Sequence, residues 1–452
     1  MKRFFQKFGI IADYCACAGR TFSDSGDGLH LSRRRVLYDY HLTATLNALT
    51  GGIFTTTLML LLLEKATTEE YVYFIALASA AASIGGMAQF LSPLVFERLR
   101  HRRRLIYVLQ GISHAINILL LPLLVCLDIP TSAKAYLYVA ARGVMSACSS
   151  LCGPAYSIWT IHSLPETCRS DYFVIQNMSN TILNQTLSLV LAVFMDFFTA
   201  NDSALTGVLI MRGLAMLAVF VKFTVMRGIV EPEYNSGMTR ITLRDMLTAP
   251  FSSRGFLLTV GISIIWTFGT TIGGTYYEAY LLDGAKLSYT YLSICGICGI
   301  PLSLLLLPKW NKWIRDRGWL PALAVSMVLY GFCYGMNGLV TAQTPWMYFV
   351  SSVYCMAIAG GTTLGNANLL YLFMPENLKN SCLAFSNLCT SLSAVAAAAA
   401  AKWFCSLTAD VPLRVFGVML ENRAYISFIA CAIIVCNGGL VWALYRKTAR
   451  KS

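Results

Sequence analysis

Apolar residues in this chain fall into long runs with few charges, divided by short polar connections. Runs long enough to cross a hydrocarbon core of about 30 Å lie near 42–64, 71–96, 105–127, 135–161, 172–198 and 205–229. Six more lie near 255–283, 287–308, 319–341, 345–374, 381–404 and 422–445. The longest interruption is the polar segment 230–254; every other connection is too short for a soluble domain. This pattern predicts an all-α integral membrane protein of twelve transmembrane helices in two six-helix bundles, 42–229 and 255–446. Segment 1–41, linker 230–254 and tail 447–452 are read as cytoplasmic.

Composition agrees with lipid as the main solvent. Charged residues make up 13% of the chain and apolar residues 56%, where a soluble domain carries roughly 25% charge. A soluble chain of this size has to meet water over its surface and has no room for so much apolar side chain. The net charge of +13 sits in short clusters between apolar runs, with no nucleic-acid-binding motif beside them. With the N-terminus inside, 26 of the 35 Lys and Arg residues fall in inward segments, six in outward loops and three, Arg142, Arg212 and Lys222, within spans. That alternation is the orientation signal of a multi-pass protein of the cell membrane, with both termini cytoplasmic. Most of the 15 cysteines lie inside apolar runs without His or carboxylate neighbours. They read as small packing residues, and neither a metal nor a cofactor is expected.

The two halves echo each other. Leu164-Pro165-Glu166 recurs as Met374-Pro375-Glu376, and at the same offset of 210 Arg169 meets Lys379 and Asn177 meets Asn387. A second echo, offset by 215, relates Pro93…Leu99-Arg100-His101-Arg102 to Pro308…Ile314-Arg315-Asp316-Arg317. Both fall at equivalent places in a six-plus-six plan, the mark of a duplicated transporter.

From about residue 42 to 445 the arrangement resembles the major facilitator superfamily. That family carries Gly-x-x-x-Asp-Arg-x-Gly-Arg-Arg between helices 2 and 3. Here the stretch reads Pro93-Leu-Val-Phe-Glu97-Arg98-Leu-Arg100-His101-Arg102-Arg103, keeping the acid, the Arg and the basic pair and replacing both glycines. The second copy is Trp313-Ile-Arg315-Asp316-Arg317-Gly318. A carboxylate at a helix end can pair with arginines and latch two bundles together, and clustered cations can equally act as positive-inside anchors. Glu97, Arg98, Arg102, Asp316 and Arg317 are the candidates for that cytoplasmic latch. Arg142-x-x-x-Ser146 is similar to the family's Arg-x-x-x-Gly element, which implies a coupling role. The Gly-Pro antiporter signature of helix 5 is absent, since residues 171–200 hold neither Gly nor Pro.

The resemblance implies that helices 1, 4, 7 and 10 line a central cavity. Each carries a helix-weakening pair: Gly51-Gly52, Gly153-Pro154, Gly273-Gly274 and Gly360-Gly361. Such pairs serve either as hinges or as sites of close helix packing. Polar residues gather in stripes at helical spacing, including Arg142, Ser146, Ser149 and Tyr156, then Asn177, Asn180, Asn184 and Ser188, then Thr267, Thr271 and Glu278. In lipid such stripes must face protein or a water-filled cavity.

Charges within spans are costly and seldom idle, about 2.5–3.5 kcal/mol each at a helix centre. Arg142 and Glu278 sit at similar depth and are expected to pair in one conformational state, Glu278 taking up a proton when the pair opens. Tyr156, Trp159, Trp266, Tyr277, Asn177, Asn366 and Asn387 suit stacking on and hydrogen bonding to a solute. Arg212 is expected to be structural.

The pattern points to a secondary active transporter, acting as a monomer, that moves a small polar organic solute by alternating access with proton-coupled symport. The alternatives are efflux of amphipathic compounds and a non-transporting membrane sensor. A membrane enzyme is not expected, because no nucleophile, base and metal set converges.

Overall fold

The computed structural model describes residues 22, 29–164, 166–232, 242–369, 373–374, 379–409, 411, 413–415 and 417–449. The side chains of Asn177 and Asn368 lie outside what is described. Helix occupies each of the twelve apolar stretches. We label them α1 (His30–Leu62), α2 (Thr68–Phe96), α3 (Arg103–Cys126), α4 (Thr131–His162), α5 (Glu166–Ala200) and α6 (Ala204–Arg227). The second six are α7 (Arg254–Asp283), α8 (Tyr289–Arg317), α9 (Trp319–Asn337), α10 (Pro345–Leu369), α11 (Lys379–Leu407) and α12 (Asn422–Ala449). Among the described residues nine are long and apolar enough to cross a membrane; α4, α8 and α10 fall outside that set. A short hairpin, β1 (Leu413–Val415) and β2 (Val418–Leu420), joins α11 to α12.

α1 begins well before residue 42, taking in His30 to His41 that the polarity of the sequence assigns to a tail. Its three consecutive arginines read as a cytoplasmic tail, yet they form the first turns of a helix. Arg33 is buried and Arg35 donates to the carbonyl of Gly228 at the end of α6.

The helices pack in a repeated pattern. α1 lies against α5 and α6, as α7 lies against α11 and α12; α4 contacts α2 and α3, as α10 contacts α8 and α9. Three pairs, α2 with α11, α5 with α8 and α1 with α7, join the sets. Small residues permit the closest approaches. A Cβ added at Gly85 of α2 would collide with the backbone of α4 at Gly143 and Ala147. One at Gly153 would meet nothing, and α4 runs unbroken through Gly153-Pro154.

At one end of the first six helices the chain ties itself down by hydrogen bonds. The Glu231 carboxylate accepts from the N–H groups of Arg102 and Arg103 at 2.7 and 2.8 Å, capping the N-terminus of α3. That places an anion where the helix end carries partial positive charge. Ser32 and Ser163 share a 2.8 Å hydrogen bond, and the Val230 N–H donates to Ser32. Trp159, 1% exposed, donates its indole N–H to the Val230 carbonyl at 3.0 Å. Trp159 is thus part of this packed end.

Asp39 and Lys222 form an ion pair of 3.2 Å between α1 and α6, with side chains 0% and 2% exposed. Lys222 also donates to Thr43 and lies 5.4 Å from the ring centre of Tyr156. Desolvating both charges offsets much of their attraction, but either charge alone would be stranded in an apolar interior.

Two stability measurements check this packing in detergent-purified protein. Asp39→Asn or Lys222→Met alone is expected to cost about 3–5 kcal/mol, and the double variant to recover most of the loss, because burial of a lone charge is what penalises the single changes. Gly85→Leu is expected to lower stability by about 1–3 kcal/mol through overpacking, while Gly153→Ala, facing open space, leaves the unfolding temperature unchanged or raised.

Candidate functional site

The site grows out of two interrupted helices. α1 stops at Thr50 and resumes as Ile53–Leu62, with Gly52 at φ +51°, a conformation that favours glycine. A broken helix inside a membrane frees backbone groups that need partners. The carbonyl of Thr50 finds two: Nη1 of Arg212 from α6 at 3.1 Å and the hydroxyl of Thr55. Asn117 completes the arrangement, accepting from Arg212 at 3.0 Å and donating to the Thr50 hydroxyl at 3.1 Å. It stands on a widened, π-helical turn of α3, Ile116–Leu120, a distortion that often marks functional places. Beyond the break, the Tyr138 hydroxyl of α4 donates to the Thr55 carbonyl at 3.2 Å.

α7 is interrupted at the equivalent place, between Gly274 and Tyr277. Gly273 packs tightly against Tyr334 and Ala430, whereas Gly274 borders open space. The breaks face each other: the Thr56 hydroxyl, four residues after Gly52, donates at 2.8 Å to Glu278, four residues after Gly274. Gly52, Gly274 and Glu278 are all exposed.

Immediately beyond, a row of bonds joins the two sets of helices. Tyr276 donates to the Val72 carbonyl at 2.8 Å, and Thr57 shares a 2.7 Å bond with Tyr289. Asp196 of α5 accepts from the N–H groups of Tyr289 and Thr290, at 2.9 and 2.7 Å, capping α8. Arg423 pairs with Asp283 at 3.0 Å and Glu421 at 2.7 Å while lying against the ring of Tyr71. A groove of about 1550 Å³ opens at this end, lined by Tyr71, Tyr73, Lys402, Glu421 and Arg423 among others.

The expected site residues divide accordingly. Glu278 and Tyr277 lie at the α7 break, with Tyr277 half-buried and Glu278 bonded to α1. Arg142 is half-buried, one turn beyond Tyr138 on α4, and acts electrostatically on Arg212 and Tyr138. Among the described residues no ion pair joins Arg142 to Glu278 in this conformation; the carboxylate is held by Thr56 instead. Tyr156 sits over Lys222, and Trp266 packs on Tyr330 with ring centres 5.3 Å apart. Asn366 and Asn387 are half-buried. Arg98, Asp316 and Arg317 are exposed, Glu97 is half-buried, and Arg102 is buried with its backbone N–H on Glu231. Asn117, Asp39 and Asp196 are further polar groups of this framework that the stripes do not single out, whereas Thr50 belongs to the span 1 stripe of Asn47, Thr50 and Thr57. Asp39 lay in the assumed tail, and a lone Asn in an apolar run carries no signal of its partner.

Compared by sequence, the chain matches no protein-family model and no curated protein. Compared by structure, it is similar to solved transporters along nearly its whole length. A nucleoside transporter superposes with a TM-score of 0.64 at 11% identity, over 92% of this chain and 100% of the other. A POT family transporter, PepTSo, gives 0.66 at 11% identity, over 93% and 98%. A D-xylose–proton symporter gives 0.65 at 14% identity, over 91% and 96%. Likeness at such low identity speaks to architecture alone: the chain carries the major facilitator fold of membrane transporters.

Proposed function

We propose that this chain is a secondary active transporter moving a small polar organic solute across the cell membrane by alternating access, coupled to protons in symport. In this reading all twelve helices span the bilayer, six to each bundle, with both termini cytoplasmic. One observation carries it above the others. The two sets of helices meet at one end through a row of individual side-chain bonds, from Thr56–Glu278 to Arg423–Tyr71. Bonds of this kind exchange with water at small net cost, about 0.5–1.5 kcal/mol each, so such a seal can open and close.

The paired breaks in α1 and α7 supply the bending points, lying side by side just within the seal. Glu278 joins the two: it belongs to the moving region of α7 and holds α1 through Thr56. Protonation of Glu278 weakens that bond by removing the charge on its acceptor, so proton uptake and opening are linked. Tyr156, Trp266, Tyr277, Asn177, Asn366 and Asn387 are the solute-facing candidates. Solved neighbours named for nucleosides, peptides, D-xylose and metals support membrane transport on this fold, and the polar and aromatic side chains named above favour a small polar organic cargo among these.

Solutes that stabilise the purified protein against heat, drawn from sugars, organic acids, nucleosides and peptides, provide the cargo for a liposome assay. Wild-type protein is expected to show counterflow and proton-driven accumulation of that solute. Glu278→Gln should keep counterflow while accumulation and its pH dependence fall about tenfold or more, as expected when a coupling carboxylate is removed. Unchanged accumulation with an unchanged pH profile removes Glu278 from coupling. Binding without any counterflow identifies a sensor on a transporter fold.

A further inference from the structure

The interruption of α1 gathers positive charge and leaves most of it unanswered. Ile53–Leu62 starts behind a glycine, so no side chain caps its N-terminus. The first N–H groups of such a helix point into the break and carry partial positive charge. Arg212, 2% exposed, commits Nη1 to Thr50 and Asn117. Its Nε and Nη2 are buried and have no hydrogen-bond partner. Arg142 approaches from α4 with its Nε likewise buried and unmatched.

Among the described residues no carboxylate forms an ion pair with Arg142 or Arg212. Asp39 pairs with Lys222, Asp196 caps the N-terminus of α8, and Glu278 accepts a hydrogen bond from Thr56. Space is available at the same point, since a Cβ built on Gly52 would meet no atom within 4 Å. A guanidinium presents its N–H groups in a flat fork that fits two oxygens of one anion. Two such forks beside a helix N-terminus form a receptor for an oxyanion.

We propose that the α1 interruption is an anion-binding site built from Arg142, Arg212 and the N-terminus of Ile53–Leu62, and that the transported solute is an organic carboxylate. The site rests on the transporter reading for the word "transported"; binding of the anion stands without it. Thr50 and Asn117 act as positioning residues, holding Arg212 at the break. The open space at Gly52 lets the carboxylate reach the backbone N–H groups.

The test uses full-length protein in detergent and measures thermal stabilisation by succinate, benzoate and inorganic phosphate, beside the neutral succinamide and benzamide. Succinate or benzoate is expected to stabilise the protein and its amide counterpart to have no effect. Arg142→Gln, which removes no hydrogen bond of the folded chain, should weaken that binding about tenfold or more, as loss of one charged fork does, and Arg142→Lys should restore part of it. Arg212→Lys serves as the second variant, keeping the charge beside Thr50 while losing the fork. Stabilisation by the amides in place of the acids, unaltered acid binding in Arg142→Gln, or no stabilisation by either carboxylate overturns the proposal. Response to phosphate alone overturns its carboxylate class. Counterflow in liposomes separates the two readings: flux of a neutral solute and not of the carboxylates overturns the carboxylate cargo and leaves the transporter, whereas carboxylate binding without flux of any solute keeps the anion site and overturns the transporter.

Discussion

A backbone carbonyl released within an apolar interior has to find a donor, and that requirement organises this molecule. α1 breaks at Thr50, so something must reach its carbonyl from outside the helix. Arg212 does so from α6, and its charge in turn draws in Asn117 from a widened turn of α3. Four helices are thereby fixed around one peptide group, since Tyr138 of α4 holds the other side of the break. A charge of this kind costs several kcal/mol to bury. It persists because the alternative is an unsatisfied backbone group in the same place, at comparable cost.

Much of the architecture is legible in the sequence because lipid imposes a simple rule on length. Each of the twelve apolar stretches carries helix, and the glycine pairs mark the breaks of α1 and α7. The same pairs in α4 and α10 leave those helices continuous, Gly361 being packed against Trp310 and Ser326. A glycine pair by itself does not distinguish hinge from contact: Gly153 faces open space in a continuous helix, as Gly52 and Gly274 do at breaks.

The partners of the charged side chains are less legible in the sequence. Lys222 is visible in the sequence as a cation within a span, but its partner Asp39 sits among residues polar enough to pass for a tail. Arg142 and Glu278 share a depth, which is all that spacing can supply; rotation about each helix axis settles whom they meet. In this conformation Glu278 meets Thr56, while Arg142 lies near Tyr138 and Arg212. Asp196 shows the same limit: one acid near the end of an apolar run carries no mark of the helix it caps across the interface. Solved transporters for nucleosides, peptides and D-xylose superpose on one backbone. The identity of a cargo therefore rests on a few side chains at positions such as these, and not on the fold that carries them.

The cap that Asp196 places on α8 has a consequence for energy balance. The acid and both N–H groups it receives lie at the ends of their helices, Asp196 only half-buried. If the interface parts, as the proposed alternating access requires, water takes over both roles, hydrating the carboxylate and the exposed helix end alike. The closed arrangement is then favoured only by the difference between two well-satisfied states. Under the proposed alternating access, a modest preference of a bound solute for one of two states of similar free energy is enough to reset the balance. In that proposed cycle the seal would act as a nearly level see-saw, with its pivot made of solvent-exchangeable bonds.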